Sequence, residues 1–564
     1  MKLQGNSLRL SYANALLAVL VLPTTAQDLT IIEIGEDVEG KNVEYYGNDN
    51  GVLSYNFTTT ICNGGDQPVS LGGLDELHPV IGQNLYRIMD GRIEQIGQGF
   101  AKHIYTDFLD EGSCGTCAES AASTGMLHPG CSETYGAKYI NYGPDGFGYH
   151  EDGPKFQINP TTGDLDLPTL YPPCAAFWLG EAVSHIEVEE DDIDPNWNEG
   201  AVFVAEAQVI STEDAQAGNG GNNVSFRVLN VVDVENIEPV WGTGVGAPAI
   251  YLLSWINPDA MVTEVVNEDE GGAGVDSRIY VACNVIELPN GLYRYEYAVQ
   301  NLDSHQGVRS LSIPADCAYL QMSDFEQHHV DYGCAEIWQS DDWGTALVGG
   351  MLEFSTGAYT GLEADDFDYD SDPTGDPSPI RWGTMSNFAF TATTPPQEIE
   401  VELGLFRPGS NMSLTARTLG PCKVLECSTE RYCTGVASSV GNIAAMNAQG
   451  SMSVSDNHLI LYANSVPANQ WGIFFYGPEE IQHPIGGGTL CVGGGIYRVN
   501  PAVQANSDGL AWLPVALNSG PMGSGPGAIT PGSTWNFQFW FRDPSGPTYS
   551  GFNFTDALRI NFCQ

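Results

Sequence analysis

Clusters of Gly, Pro, Asn, Asp and Ser interrupt this chain about every ten residues, and the pieces between them are short and β-prone. The β-branched or aromatic runs are Thr30–Ile34, Val52–Ile61, Ala201–Ile210, Val224–Val232, Ile250–Trp255, Arg278–Ile286 and Tyr293–Gln300. With 66 Gly and 33 Pro residues, there is little room for long helices. Tyr293–Val299 alternates with period two, as a half-buried strand should. Gly91–His103 is the segment expected to form a short helix. The pattern specifies an all-β chain of two or three antiparallel β-sandwich domains, Ig-like or jelly-roll-like, with disulfides and long loops.

A chain of 564 residues is too long for one hydrophobic core. Residues 1–26 read as a secretory signal, with Lys2 and Arg9 ahead of the apolar run Ala13–Leu22 and a small-residue site at Thr24-Thr25-Ala26. No later stretch is long and apolar enough for a transmembrane helix. Residues 27–425 form one β-sandwich region, divisible into two subdomains near 175–200. After the breaker cluster Thr391–Pro396 and a last strand at Glu398–Phe406, the composition becomes poorer in charge. A C-terminal sandwich module is expected over 427–564, with strands at Met452–Ala463, Gly472–Tyr476, Thr489–Val492 and Thr534–Arg542.

The charge is extreme: 71 acidic against 20 basic residues. Phosphate contact needs clustered Lys and Arg, so a nucleic-acid partner is excluded. Spread along the chain, the acid gives solubility in a salty medium or binds divalent cations. Asp366, Asp368, Asp370 and Asp372 put carboxylates at every second residue, a spacing that can wrap Ca²⁺ without matching an EF-hand. The cluster Glu187–Asp194 is less patterned.

Thirteen cysteines in an exported chain point to disulfides, and the odd count leaves at least one outside a pair. Cys114, Cys117, His128 and Cys131 have zinc-site spacing, but behind a signal peptide a disulfide clip is preferred to zinc.

Uncommon polar residues gather in His78–His103. His78 and His103, with His329 and Asp331 from the His328-His329-Val330-Asp331 run, are the candidate ligands for Zn²⁺ or Cu²⁺ if the chain folds back on itself. The competing reading makes them surface or satisfied core histidines. Gln83, Tyr86, Arg87, Gln95 and Gln98 offer amide, hydroxyl and guanidinium groups suited to sugar hydroxyls or carboxylates, or to a structural hydrogen-bond network. No GxSxG, HExxH or phosphate loop is present.

Leu77–His103, Tyr293–Pro314 (YRYEYAVQNLDSHQGVRSLSIP), Ile380–Ala392 (IRWGTMSNFAFTA) and Trp535–Gln564, with Phe474–Pro478, resemble a poorly characterised family of large secreted β-rich proteins of planctomycetes and related environmental bacteria. That family often carries a His after the Asp-Tyr pair; here Asp331-Tyr332 is followed by Gly333-Cys334. The family's role is unassigned, so the resemblance implies an address rather than a reaction. The expectation is a secreted, extracellular or cell-surface binding or structural protein, stabilised by calcium. The alternatives are a secreted metalloenzyme, hydrolytic or oxidative, built on the histidines, and a carbohydrate-binding protein using exposed aromatics.

Overall fold

The computed structural model describes residues 26–35, 43–71, 77–104, 110–117, 125–135, 152–153, 155–165, 185–315, 318, 320, 324–331, 340–359, 377–422 and 427–563. Nearly all of its regular structure is strand, and every pairing between its named strands is antiparallel. The chain divides into two compact units, residues 1–422 and 423–564.

In the first unit, four sheets are stacked with apolar seams between them. The outermost contains Leu29–Ile34, Thr59–Asn63, Cys131–Tyr135 and Asp110–Ser113. It packs on a ten-stranded sheet whose centre is Val202–Ile210, Val80–Met89 and Arg92–Gln98. Leu29, Ile31 and Ile61 meet Tyr55, Leu85, Ala205 and Val209 in the first seam. The other face of the ten-stranded sheet contributes Tyr86, Ile93, Val204 and Phe226 to a second seam, against Tyr280, Ala298 and Met385. Those three lie on a five-stranded sheet built on Ser277–Glu287, Tyr293–Asn301 and Thr384–Ala392. Its far side, with Tyr295, Tyr297 and Phe390, packs on Leu311, Phe354 and Leu403 of a fourth sheet. The passage from the first sandwich to the second falls at residues 245–260, because the strands from Ile186 to Gly244 still belong to the ten-stranded sheet.

Several local expectations are corrected. Gly91–His103 is not helical: Asp90 and Gly91, both at positive φ, turn a hairpin between Val80–Met89 and Arg92–Gln98, and Ala101–His103 is a further strand. An Asp-Gly pair at this position is a strong hairpin signal. Ile250–Trp255 is not a strand; Tyr251–Ile256 is a short helix. A short apolar run has no period that separates the two. Val52–Ile61 divides into Val52–Phe57 and Thr59–Asn63, which belong to different sheets. Met452–Ala463 reduces to Leu459–Asn464. Tyr293–Asn301 is buried on both faces, not one, because it lies between two seams.

The second unit is a smaller sandwich. Ser428–Tyr432, Ala557–Asn561, Thr534–Asp543, Trp471–Gly477 and Tyr497–Gln504 form one sheet, with Gly551–Phe554 attached. Ala445–Gly450, Leu459–Asn464 and Ala511–Val515 form the other. Phe474, Tyr476, Phe537, Phe539 and Phe541 fill the core between them. Disulfides Cys427–Cys563 and Cys433–Cys491 lie within this unit. Residues 423–564 hold five basic and eight acidic residues, net −3, whereas residues 1–422 hold 15 and 63, net −48.

Candidate functional site

The polar residues of His78–His103 turn inward. Gln83 donates to the Phe57 carbonyl (2.6 Å) and to Thr59 Oγ1 (2.9 Å). Arg87 bonds Asn198 (2.7 Å) and Glu94 (2.7 Å) and pairs with Asp192 (3.1 Å). Gln95 donates to Asn84 Oδ1 (3.0 Å) and accepts from the Met385 N–H (2.7 Å). Gln98 donates to the Asp331 carbonyl (3.0 Å) and accepts from Lys155 Nζ and Arg381 Nη2, both at 3.3 Å.

Tyr86 donates to Glu206 Oε1 (2.8 Å), which also accepts from Gln300 (3.0 Å), while Glu206 Oε2 accepts from the Ala249 N–H (2.7 Å). Burial raises the Glu206 carboxyl, and these donors pull it back toward its ordinary value. The set spans the second seam: Gln95, Gln98, Tyr86 and Glu206 come from one sandwich, Gln300, Arg381 and Met385 from the other. Buried polar groups require partners, and the hydrogen bonds named here supply them across the joint. Sequence reasoning missed Lys155, Glu206, Gln300 and Arg381, which come from distant stretches and meet only in the fold.

His78 Nε2 and His103 Nδ1 are 2.7 Å apart and buried. His328 Nε2 is 2.9 Å from the Gln95 carbonyl oxygen, and His329 Nε2 is 3.3 Å from Asp342. His78 and His103 meet each other, but among the described residues no group of three or more His, Cys, Asp or Glu is placed to hold a metal ion. Cys114 is bonded to Cys62 and Cys117 to Cys131, which removes the thiolates that a zinc site with His128 would need. Cys283, buried, is the free cysteine among the described residues. Asp366, Asp368, Asp370 and Asp372 lie outside the described residues. In Glu187–Asp194, Asp192 is paired with Arg87.

An outward-facing site lies on the second unit. Along Thr534–Asp543 the core side carries Trp535, Phe537, Phe539 and Phe541, and the outer side carries Asn536, Gln538, Trp540 and Arg542. The hairpin Glu479–Ile485/Gly488–Gly493 covers one end of that outer face, where Gln538 bonds Cys491 N and the Thr489 carbonyl. The other end is bare. There a groove of about 760 Å³ is lined by Trp471, Phe475, Ile496, Arg498, Trp540 and Arg542, among others. Trp471 is 49 % exposed and Ile496 48 %.

Strand register fixes the floor of this groove. Trp540 is opposite Ile473, and Arg498 is opposite Phe475. Phe475 and Phe554 make an edge contact beneath (ring centroids 6.2 Å apart). Arg431 is paired with Asp556, and Arg559 with Glu430 (2.8 Å) and Glu480 (3.2 Å). Arg498 and Arg542 are exposed and have no ion pair among the described residues. A legible signal existed: Trp540 sits at the polar phase of an otherwise regular alternation.

No family model matches this chain, and no curated protein does. Among solved structures, a tetra-tandem repeat from the extending region of a large adhesion protein aligns at 10% identity with a TM-score of 0.15, over 96% of this chain and 100% of that one. A biofilm-associated protein BSP domain aligns at 9% identity and TM-score 0.11, over 99% of this chain and 84% of that one. Likenesses of this size carry no functional weight.

Proposed function

We propose that this chain is an extracellular binding protein, in which residues 1–422 are a rigid scaffold and residues 423–564 carry the ligand face. The observation that supports this most is the groove at Trp471, Trp540, Arg498 and Arg542. A surface of exposed aromatics beside unpaired cations is costly to leave bare and is typical of binding sites. The disulfides fit an oxidising compartment outside the cytoplasm. The candidate residues of His78–His103 serve the scaffold in this reading, as the polar joint between its sandwiches.

Native electrophoresis of the full chain through gels containing a panel of polysaccharides tests the reading. At least one polymer should retard the wild type, and the Trp471→Ala/Trp540→Ala double variant should run unretarded. Equal migration of both proteins in every gel removes the proposal.

A further inference from the structure

The side chains lining the groove are one-sided in their hydrogen bonding. Trp471 and Trp540 have an indole N–H, Arg498 and Arg542 have guanidinium N–H groups, and the remaining lining side chains are apolar. Trp and Arg donate and do not accept. A neutral sugar, whose hydroxyls both donate and accept, would leave its own donors without side-chain partners here. A ligand rich in acceptor oxygens would not.

The floor narrows the class further. It is made of the central strands Trp471–Gly477 and Thr534–Asp543, each paired on both sides. A peptide adding as a strand would pair along the sheet's edge strand, Tyr497–Gln504, and would not lie across this floor. Flat aromatic faces with flanking guanidinium groups suit ring stacking plus bidentate contact to an oxyanion. Arg498 is level with Phe475 and Arg542 lies two residues beyond Trp540, two strands away. Strand geometry sets their Cα atoms roughly 15 Å apart. That separation spans several sugar units, with the aromatic floor between the two cations.

We infer that the groove binds an anionic polysaccharide, stacking sugar rings on Trp471 and Trp540 and holding carboxylate or sulfate oxygens with Arg498 and Arg542. This rests on the groove being the ligand face. Polyanion binding is selective here because the rest of the chain repels polyanions: residues 1–422 are net −48.

The test is isothermal titration of the full chain with two matched polymer pairs: polygalacturonate against its methyl ester, and dextran sulfate against dextran. Each pair keeps the backbone and removes the charge. The charged member of at least one pair should bind tenfold or more tightly than its neutral partner, and affinity should fall as NaCl rises. Binding in the first pair alone assigns carboxylate, and in the second alone, sulfate. Arg498→Gln/Arg542→Gln should lose tenfold or more, and Arg498→Lys/Arg542→Lys should recover part of it. Both arginines are exposed, so unchanged melting temperatures should accompany these variants. Equal binding of charged and neutral partners overturns the inference and leaves the groove reading standing. Charge-selective binding untouched by both arginine variants overturns it too. Binding of none of the four polymers, with self-association in sedimentation that Trp471→Ala abolishes, replaces it with a contact between two copies.

Discussion

His78 Nε2 and His103 Nδ1 share a hydrogen bond of 2.7 Å inside the first unit, where one nitrogen donates and the other accepts. Burial, and then the neighbouring His78, hold the His103 pKa down at about 3. His103 is therefore neutral in the folded protein at ordinary pH, and its pH dependence follows. The folded value lies below the ordinary 6.5, so the stability this group confers is complete above pH 6.5. It is lost as pH falls toward 3, at up to about 1.4 kcal/mol per pH unit. Burial, partly offset by Arg278, pushes Asp303 the other way, up to about 7. Its contribution is complete below its ordinary value and is lost as pH rises through 7. Between pH 7 and pH 5, the stability gap between wild type and His103→Asn should shrink by about 2 kcal/mol, and that of Asp303→Asn should widen by a similar amount. Denaturant midpoints at the two pH values check both signs.

The polar joint predicts a steep penalty. Glu206→Ala leaves the Tyr86 hydroxyl, the Gln300 amide and the Ala249 N–H without their acceptor in a buried seam, at a cost of about 3–5 kcal/mol for the orphaned donors together. Glu206→Gln keeps one acceptor oxygen and should cost about 1–2 kcal/mol. Chemical denaturation of the two variants should rank them in that order. Equal midpoints would show that the carboxylate is not what the joint is built on.

The all-β class was legible because turn residues and β-branched runs act locally. Gly91–His103 departs from a helix for a local reason too: Asp90-Gly91, both at positive φ, is a hairpin signal that overrides the helical spacing. The strand at Tyr293 was legible, but not its burial on both faces, because its second seam is formed by residues far away in sequence, among them Tyr86, Ile93 and Val204. The same limit governed the site. Gln95 and Gln98 stood out as unusual, yet their partners Met385, Lys155 and Arg381 meet them only in three dimensions. Trp540 was visible in the alternation of WNFQFWFR; its partner Trp471 needed the strand register.

Charge predicts a salt response. Residues 1–422 are net −48, and screening over roughly 8–10 Å at ordinary ionic strength relieves their mutual repulsion. The melting temperature should rise between 10 mM and 150 mM NaCl. Calcium binding in the Asp366–Asp372 stretch would add to this: millimolar CaCl₂ should raise the melting temperature beyond NaCl of equal ionic strength, and EGTA should reverse it. Identical curves at matched ionic strength leave screening as the whole effect.

Two disulfides act differently on the second unit. Cys427–Cys563 closes a span of 136 residues and should contribute about 4–5 kcal/mol by limiting the unfolded chain. Cys433–Cys491 anchors the hairpin whose Leu490 lines the groove. Cys433→Ala/Cys491→Ala should therefore weaken ligand binding as well as lower the melting temperature. Cys427→Ala/Cys563→Ala should lower the melting temperature and spare affinity at 25 °C.

The groove is tested most directly by comparing tryptophans on opposite faces of one sandwich. Trp540 faces the groove, whereas Trp512, 55 % exposed, lies on the three-stranded sheet across the core. Removing an aromatic anchor from a binding site typically costs about 2 kcal/mol or more, some thirtyfold in affinity. Titration with one charged polysaccharide should give Trp540→Ala a dissociation constant at least tenfold above wild type and leave Trp512→Ala within twofold. Binding lost in Trp512→Ala and kept in Trp540→Ala would contradict the assignment of the ligand face.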